Sequence, residues 1–311
     1  MALAALAQAE SLALVFYDAD SPHQFAVANG AREALRDLSL RYKRDIKLEN
    51  FTPKAAEITP EIQAQALFEA KKSGASGAIL FASHGGEKPL EDAMGKLAAE
   101  GFPVAVIGRD IDARSALAFT LRDNEKLADG LKKAFPKRSE RDNFHLVFVL
   151  MGGDEAEIPE DAAAKLLPAN MDIKTAKSIS GGKAAKFYSC RRYGALQRKF
   201  SAEWTNWDNY GIIILDERVL ADIPKFDRDS DRAFILCTQT SPLLSEYLKT
   251  SEIPLCTADD YFGYGYLSAI KLAEKIFDGK NPRKKAELLP PLKYAPEDVK
   301  KFEKDWIGFL K

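Results

Sequence analysis

The segment Ser11 to Leu38, SLALVFYDADSPHQFAVANGAREALRDL, constrains the fold more than any other stretch of this chain. Its apolar run, Leu12 to Tyr17, reads as a buried strand and leads into the acidic loop Asp18-Ala19-Asp20. Ser21 then opens a long amphipathic helix. Gln24 follows three residues on, the spacing of a capping box, and Pro22 suits the first helical position, where its missing N–H costs nothing. Strand, tight polar loop and helix in that order are the opening of an open α/β sheet. In such sheets ligands bind at the loops on the carboxyl ends of the strands. The loop ending at Asp20 therefore marks a candidate ligand site at the start of the chain.

The pattern then repeats. Ile46 to Phe51 reads as a strand, Pro60 to Lys72 as a helix capped by Thr59, and Gly77 to Ala82 as a strand. Helix Pro89 to Ala99, strands Phe102 to Ile107 and Ser115 to Thr120, and helix Asn124 to Phe135 follow. Short apolar runs alternating with helical periodicity indicate parallel strands buried on both faces. The charged stretch Pro136 to Asp142 reads as an exposed turn. Behind it a second series begins with strand Phe144 to Leu150, helix Pro159 to Leu167, strand Ile173 to Ile179 and helix Cys190 to Trp204. Strands Tyr210 to Leu215 and Ala233 to Cys237, helix Pro242 to Lys249 and strand Ile253 to Thr257 complete it. Tyr261 to Phe277 is a helix closed by Asp278-Gly279, with Gly as C-cap. Pro290-Pro291 makes Leu288 to Leu292 an edge strand or a linker. A last amphipathic helix runs from Ala295 toward Leu310. A chain of 311 residues exceeds what one core usually serves, so two doubly wound sheets are expected.

Composition narrows the function classes. A formal net charge of −1 gives no electrostatic reason to expect nucleic acid or an anionic membrane as partner. The basic run Lys280 to Lys285 reads as a solvated helix end or loop. Cys190, Cys237 and Cys256 lack C-x-x-C spacing, and no metal site or disulfide framework is expected. Gly263-Tyr264-Gly265 lacks the third glycine of a dinucleotide fingerprint, and Gly181-Gly182-Lys183 lacks the spacing of a P-loop. Neither H-E-x-x-H nor G-x-S-x-G occurs, so no enzyme and no cofactor is expected. Met1 to Ala9, MALAALAQA, ends in an A-x-A pattern. It reads as the remnant of a signal peptide, implying export to the periplasm, or as a frayed helix start.

Four segments together resemble the type I periplasmic sugar-binding proteins, the ribose- and galactose-binding group whose fold is shared by effector domains of LacI-type repressors. SPHQFAVANGAREAL resembles the family's N-P-F-F-x-x-x-x-x-G-A-x-x-A, and QALFEAKKSGASGAILF the helix and strand before its first ligand loop. GFPVAVIGRDID with FTLRDNEKLADGL resembles the strand, cleft arginine and first crossover. TADDYFGYGYLSAIKLAEKIFDGKNP resembles the returning helix with its terminal G-K-x-P. The likeness runs from about Ser11 to Pro291. It implies two doubly wound parallel-sheet, Rossmann-like lobes joined by a three-strand hinge, with ligand in the cleft between them. The N-terminal lobe would comprise residues 10–122 and 259–288, the C-terminal lobe residues 123–258 and 289–311, behind the signal-peptide remnant 1–9.

The resemblance also implies ligand-binding positions. Ser21, His23 and Gln24 stand where the family has Asn and two Phe; His23 otherwise occupies a solvent-facing first turn. Arg109 matches the arginine that forks onto ligand hydroxyls, or pairs on the surface with Asp110 or Asp112. Asp216 falls at an Asn position, or caps the short helix after its strand. Thr238 or Gln239 falls at an Asp position. Asp259 falls where a Gln or Asp sits beside the hinge, unless it and Asp260 merely cap the next helix. His84, in Ser83-His84-Gly85-Gly86 behind another strand, is a further cleft candidate. Both aromatic stacking positions of the first loop are polar here, and the second lobe's first loop, Gly152 to Glu157, is acidic where an arginine is expected. Phe187, Tyr188, Trp204 and Trp207 are alternative stacking surfaces, the two tryptophans otherwise being packing residues.

The implied function is that of a monomeric periplasmic solute-binding protein of an ABC-type importer, taking a sugar or polyol and handing it to a membrane permease. The alternatives are a periplasmic sensor for a histidine kinase or chemoreceptor, and a LacI-type effector domain.

Overall fold

The computed structural model describes residues 10–54, 58–83, 88–111, 113–134, 143–153, 155–168, 171–180, 184–192, 194–196, 198, 210–220, 235–237, 244–250 and 255–307. Residues 1–9, His84, Trp207, Gln239, the turn Pro136 to Asp142 and the last part, 199–204, of the expected helix Cys190 to Trp204 lie outside these, and with them the expectations placed there. The chain divides into two compact units, Met1–Arg122 with Asp260–Leu289, and Asp123–Asp259 with Pro290–Lys311. It therefore passes between them three times.

The first unit is a parallel sheet sandwiched by helices. Its strands are β1 (Glu10–Val15), β2 (Ile46–Asn50), β3 (Gly77–Leu80), β4 (Val104–Ile107), β5 (Ala118–Arg122) and β12 (Ala286–Leu289), in the order β12-β5-β4-β3-β1-β2. All these pairings are parallel, including that of β12 with β5. Strands β3 and β4 are buried throughout, as helices on both faces require. Helices α2 (Pro60–Lys72) and α3 (Lys88–Ala99) cover one face. There Leu67, Ala70, Leu90, Met94 and Leu97 close over Ala13, Val15, Leu80 and Val106. On the other side α1 (Pro22–Tyr42) packs on the helix Tyr261–Asp278, called α8 below. A Cβ on Gly30 would lie 2.0 Å from the Phe262 carbonyl oxygen, and one on Gly265 2.0 Å from that of Val27. The two helices thus meet backbone to backbone, and only glycine permits it.

The second unit repeats the plan. Strands β6 (His145–Met151), β7 (Ala156–Ile158), β8 (Ala184–Cys190), β9 (Tyr210–Ile214), β10 (Ile235–Cys237), β11 (Leu255–Ala258) and β13 (Leu292–Tyr294) are ordered β13-β11-β10-β9-β6-β8-β7. The two outermost, β7 and β13, run antiparallel to their neighbours. With them come α4 (Asn124–Ala134), α5 (Glu160–Leu166), α6 (Ile173–Ile179) and α7 (Leu244–Lys249). Phe148 stacks on Phe187 in the core, with Leu146, Leu150, Ile213 and Ile179 around them.

Several expectations need correcting. Ile173–Ile179 is a helix, not a strand: the Asp172 side chain caps it, accepting from the Thr175 N–H at 2.6 Å. Its buried residues, Ala176 and Ile179, lie three apart, the spacing of one helical face. The strand pairing with β6 is instead β8, whose last residue is Cys190, where the sequence suggested a helix to begin. β5 begins at Ala118 and runs to Arg122 rather than starting at Ser115. Beyond Ala295 no continuous helix forms: a 3-10 turn, Pro296–Asp298, leads into the short helix Val299–Phe302 and a π turn, Glu303–Ile307. There Trp306 Nε1 donates to the Tyr294 hydroxyl, which itself donates to Asp305, fastening this segment to β13. Ser21 caps α1 through the His23 N–H, but Gln24 makes no reciprocal bond, so the cap forms without the box.

Candidate functional site

In the first unit the connections from β1 and β3 leave in opposite directions along the sheet, β1 toward β2 and β3 toward β4. That switch point opens a crevice at the strands' carboxyl ends. One side chain spans its floor. Gln63, from α2 and fully buried, donates Nε2 to the Phe16 and Phe81 carbonyls at 3.2 and 2.9 Å and accepts from the Ser83 N–H at 2.9 Å. It holds the chain just beyond β1 against the chain just beyond β3.

Aromatic rings fill the space above. Phe16 stacks on Tyr17 (4.6 Å), and both meet Phe81 edge-on. Tyr261, first residue of α8, lies parallel to the His23 ring, with centroids 4.2 Å apart and planes 5° apart. The Tyr17 hydroxyl is 3.3 Å from His23 Nδ1 and 3.4 Å from Ser21 Oγ, joining the loop to the cluster. His23 is therefore not a solvent-facing first-turn residue: it is buried, held by a ring on one face and a hydroxyl at its edge.

Arg109 reaches the same place from β4. Gly108, at φ +73°, turns the chain out of the strand, and a Cβ there would lie 2.2 Å from the Phe81 ring. The next residue, Arg109, is half-buried and points Nη1 at the Ser83 carbonyl, 3.5 Å away. Two oxygens near this chain end are buried without a hydrogen-bond partner, Gln24 Oε1 and Ser83 Oγ. Buried polar atoms are rarely left so, because each forfeits its hydration. Asp20 stands apart: it is exposed, and its N–H donates to the Asp18 carboxylate at 2.9 Å.

The second unit supplies two of the expected residues. Asp216, past the carboxyl end of β9, accepts from the Arg218 N–H at 3.0 Å and pairs with its guanidinium at 2.5 to 3.2 Å. It therefore organises the 3-10 turn Glu217–Leu220. Asp259, past β11, is buried, while Asp260 is the residue that caps α8, accepting from the Gly263 N–H at 2.8 Å. The acidic loop's Glu157 is engaged by the Tyr188 hydroxyl and by Lys186, and Phe187 and Tyr188 are buried in their own unit. Cys190 is buried beside Glu155 and Asp216; burial first, then those carboxylates, push its thiol up to about 12, out of reach of thiolate chemistry. No group of three or more metal-ligating side chains occurs among the described residues.

Sequence reasoning did not single out Tyr17, Gln63, Phe81 or Tyr261. Ser83 lay in the quoted loop, but its neighbour His84 drew the argument. The signal that could have found Ser83 is its position directly behind a fully apolar strand.

No protein-family model and no curated protein matches the sequence. Solved structures do resemble it. A glucose–galactose binding protein from Geobacillus stearothermophilus superposes with a TM-score of 0.66 at 14% identity, covering 94% of this chain and 99% of that one. An ABC transporter solute-binding protein from Burkholderia graminis, in complex with D-arabinose, gives 0.68 at 14% identity, over 94% and 97%. A LacI-type transcriptional regulator from Bacteroides fragilis, itself described as putative, gives 0.65 at 13% identity, over 94% and 99%. The chain thus has the two-sheet α/β fold of the type I periplasmic binding proteins.

Proposed function

We propose that this protein is an exported, periplasmic solute-binding protein of an ABC-type importer, and that its ligand is a small polyhydroxylated molecule, a sugar or polyol. The observation that carries the reading is that, at the switch point of the first sheet, Arg109 reaches Ser83, whose Oγ is buried without a partner, while Gln24 Oε1 at the start of α1 is buried without one too. A guanidinium fork beside acceptor oxygens suits ligand hydroxyls, which both donate and accept. The rings of Tyr17, Phe81, His23 and Tyr261 pack on one another. This end of the first unit therefore offers a ligand polar edges more than an open aromatic face, in keeping with the polar residues at the family's two stacking positions.

Asp216 and Asp259 are the second unit's contributions in this reading, with His84 and Gln239 as further contacts. Capture proceeds by closure about the three crossing segments, which shifts the population toward a form that a membrane permease, or a sensor in its place, recognises. A thermal-shift screen over sugars, polyols, nucleosides and amino acids tests the ligand class. Saturable stabilisation by a sugar or polyol is expected; stabilisation by another class alone would overturn the ligand while leaving the fold.

A further inference from the structure

The opposite end of the first sheet carries a second feature. A hollow of about 400 Å³ opens at the amino ends of β4, β5 and β12. Its lining includes Pro103, Ala116, Leu117 and Pro282, with Lys275 and Lys285 beside them. The size falls within the range of small-molecule sites.

Charge distinguishes it from a mere surface dip. Lys275 Nζ donates to the Asn281 side-chain oxygen at 2.9 Å, and Lys285 Nζ to the Arg114 carbonyl at 2.6 Å while lying 5.9 Å from the centre of the Phe119 ring. Both partners are neutral, and no carboxylate lines the hollow. Several other basic side chains of this unit do pair with acids, Arg44 with Glu10, Lys71 with Glu100 and, in the adjoining loop, Lys280 with Asp278. The loop between α8 and β12 adds Arg283 and Lys284 and no acid of its own. Two ammonium groups without a counter-charge, beside an apolar floor, favour a ligand with the opposite layout.

We propose that this hollow is a second binding site, separate from the carboxyl-end crevice, for a small carboxylate with a short apolar body. The carboxylate lies between Lys275 and Lys285, and the apolar body covers Pro103, Leu117 and Pro282. Lys285, last of the basic run Lys280 to Lys285 that the sequence suggested to be a solvated helix end or loop, thereby gains a role.

Amide chemical shifts of the whole chain, titrated with hexanoate, hexanol and inorganic phosphate, test the site. Hexanoate is expected to shift Ser115, Ala116 and Asn281 saturably, with hexanol and phosphate each at least about tenfold weaker, since a charged hydrogen bond and the apolar contact each contribute on that scale. Lys275→Gln with Lys285→Gln should weaken hexanoate by at least about tenfold. Should that pair unfold, Lys275→Gln alone serves, because its bond is to an exposed side chain. Arg109→Ala should leave hexanoate binding unchanged, which separates this site from the proposed ligand crevice. Lysines that only complement the carbonyl ends of α3 and α8 would give no saturation. That result would overturn the proposal, as would hexanoate binding that survives the lysine variants or is matched by hexanol or phosphate.

Discussion

Gly108 sets the direction of Arg109. Its φ of +73° is left-handed backbone that side chains other than glycine's rarely adopt, and the Phe81 ring occupies the space a Cβ would need. Gly108→Ala should therefore destabilise the fold by about 1–3 kcal/mol, read by urea denaturation, and should weaken ligand binding as the arginine is displaced. A variant as stable as the parent would show that this turn is not strained against Phe81. The residue scale is also where sequence reading was least complete. Arg109 and His23 could be picked out by their match to positions of the family that the sequence resembles. The contacts that hold them could not. Gln63 lies on another helix, 47 positions from its partner Phe16, and Tyr261 lies far along the chain from the His23 ring it stacks on. Asp216 shows the converse: its aptitude as a local cap was visible in sequence, and its carboxylate accepts from the Arg218 backbone N–H two residues on.

At the scale of elements, the close pairing of α1 with α8 is the feature most exposed to a single methyl group. Gly30→Ala places a Cβ 2.0 Å from a backbone oxygen, which a rotamer change cannot relieve. The helices must part, and a loss of about 2 kcal/mol or more in unfolding free energy is expected, measured by urea denaturation. An unchanged midpoint would mean that the helices are not in backbone contact. His23 and Tyr261 stand at the first turns of these same helices, so their stacking should loosen too. The helices and strands of the first unit were legible because their apolar periods are strong and their ends carry caps: Ser21 and Thr59 accept from N–H groups as their sequence positions suggest, and Gly279 adopts the left-handed C-cap. In the second unit α6 misled because Ile173, Thr175 and Ile179 are β-branched and favour strands, while the deciding feature is the Asp172 cap. β8 was missed because its first three residues are not buried and its apolar signal begins only at Phe187.

For the whole molecule, the order of strands explains why a chain with so little sequence likeness to its structural neighbours could still be placed. In the first unit β1 is flanked by β2 and β3, and in the second β6 is flanked by β8 and β9, the next two strands parallel to it; that arrangement follows from βα alternation, which survives almost any substitution that keeps the core apolar. In the proposed function ligand identity depends instead on a few polar groups at the strand ends, where His23 and Gln24 stand at positions that the resembled sugar-binding proteins fill with Phe. Closure on the ligand predicts a smaller radius of gyration by X-ray scattering at saturation; an unchanged radius would count against capture by closure.

The central claim is that Arg109 and its neighbouring oxygens hold a polyhydroxylated ligand. Titration calorimetry tests it most directly, using the sugar or polyol that most raises the melting temperature, with the parent chain and Arg109→Ala side by side. The account predicts saturable binding by the parent and at least about tenfold weaker binding by the variant, the scale of a lost charged hydrogen bond. Equal affinity in the two proteins would contradict it.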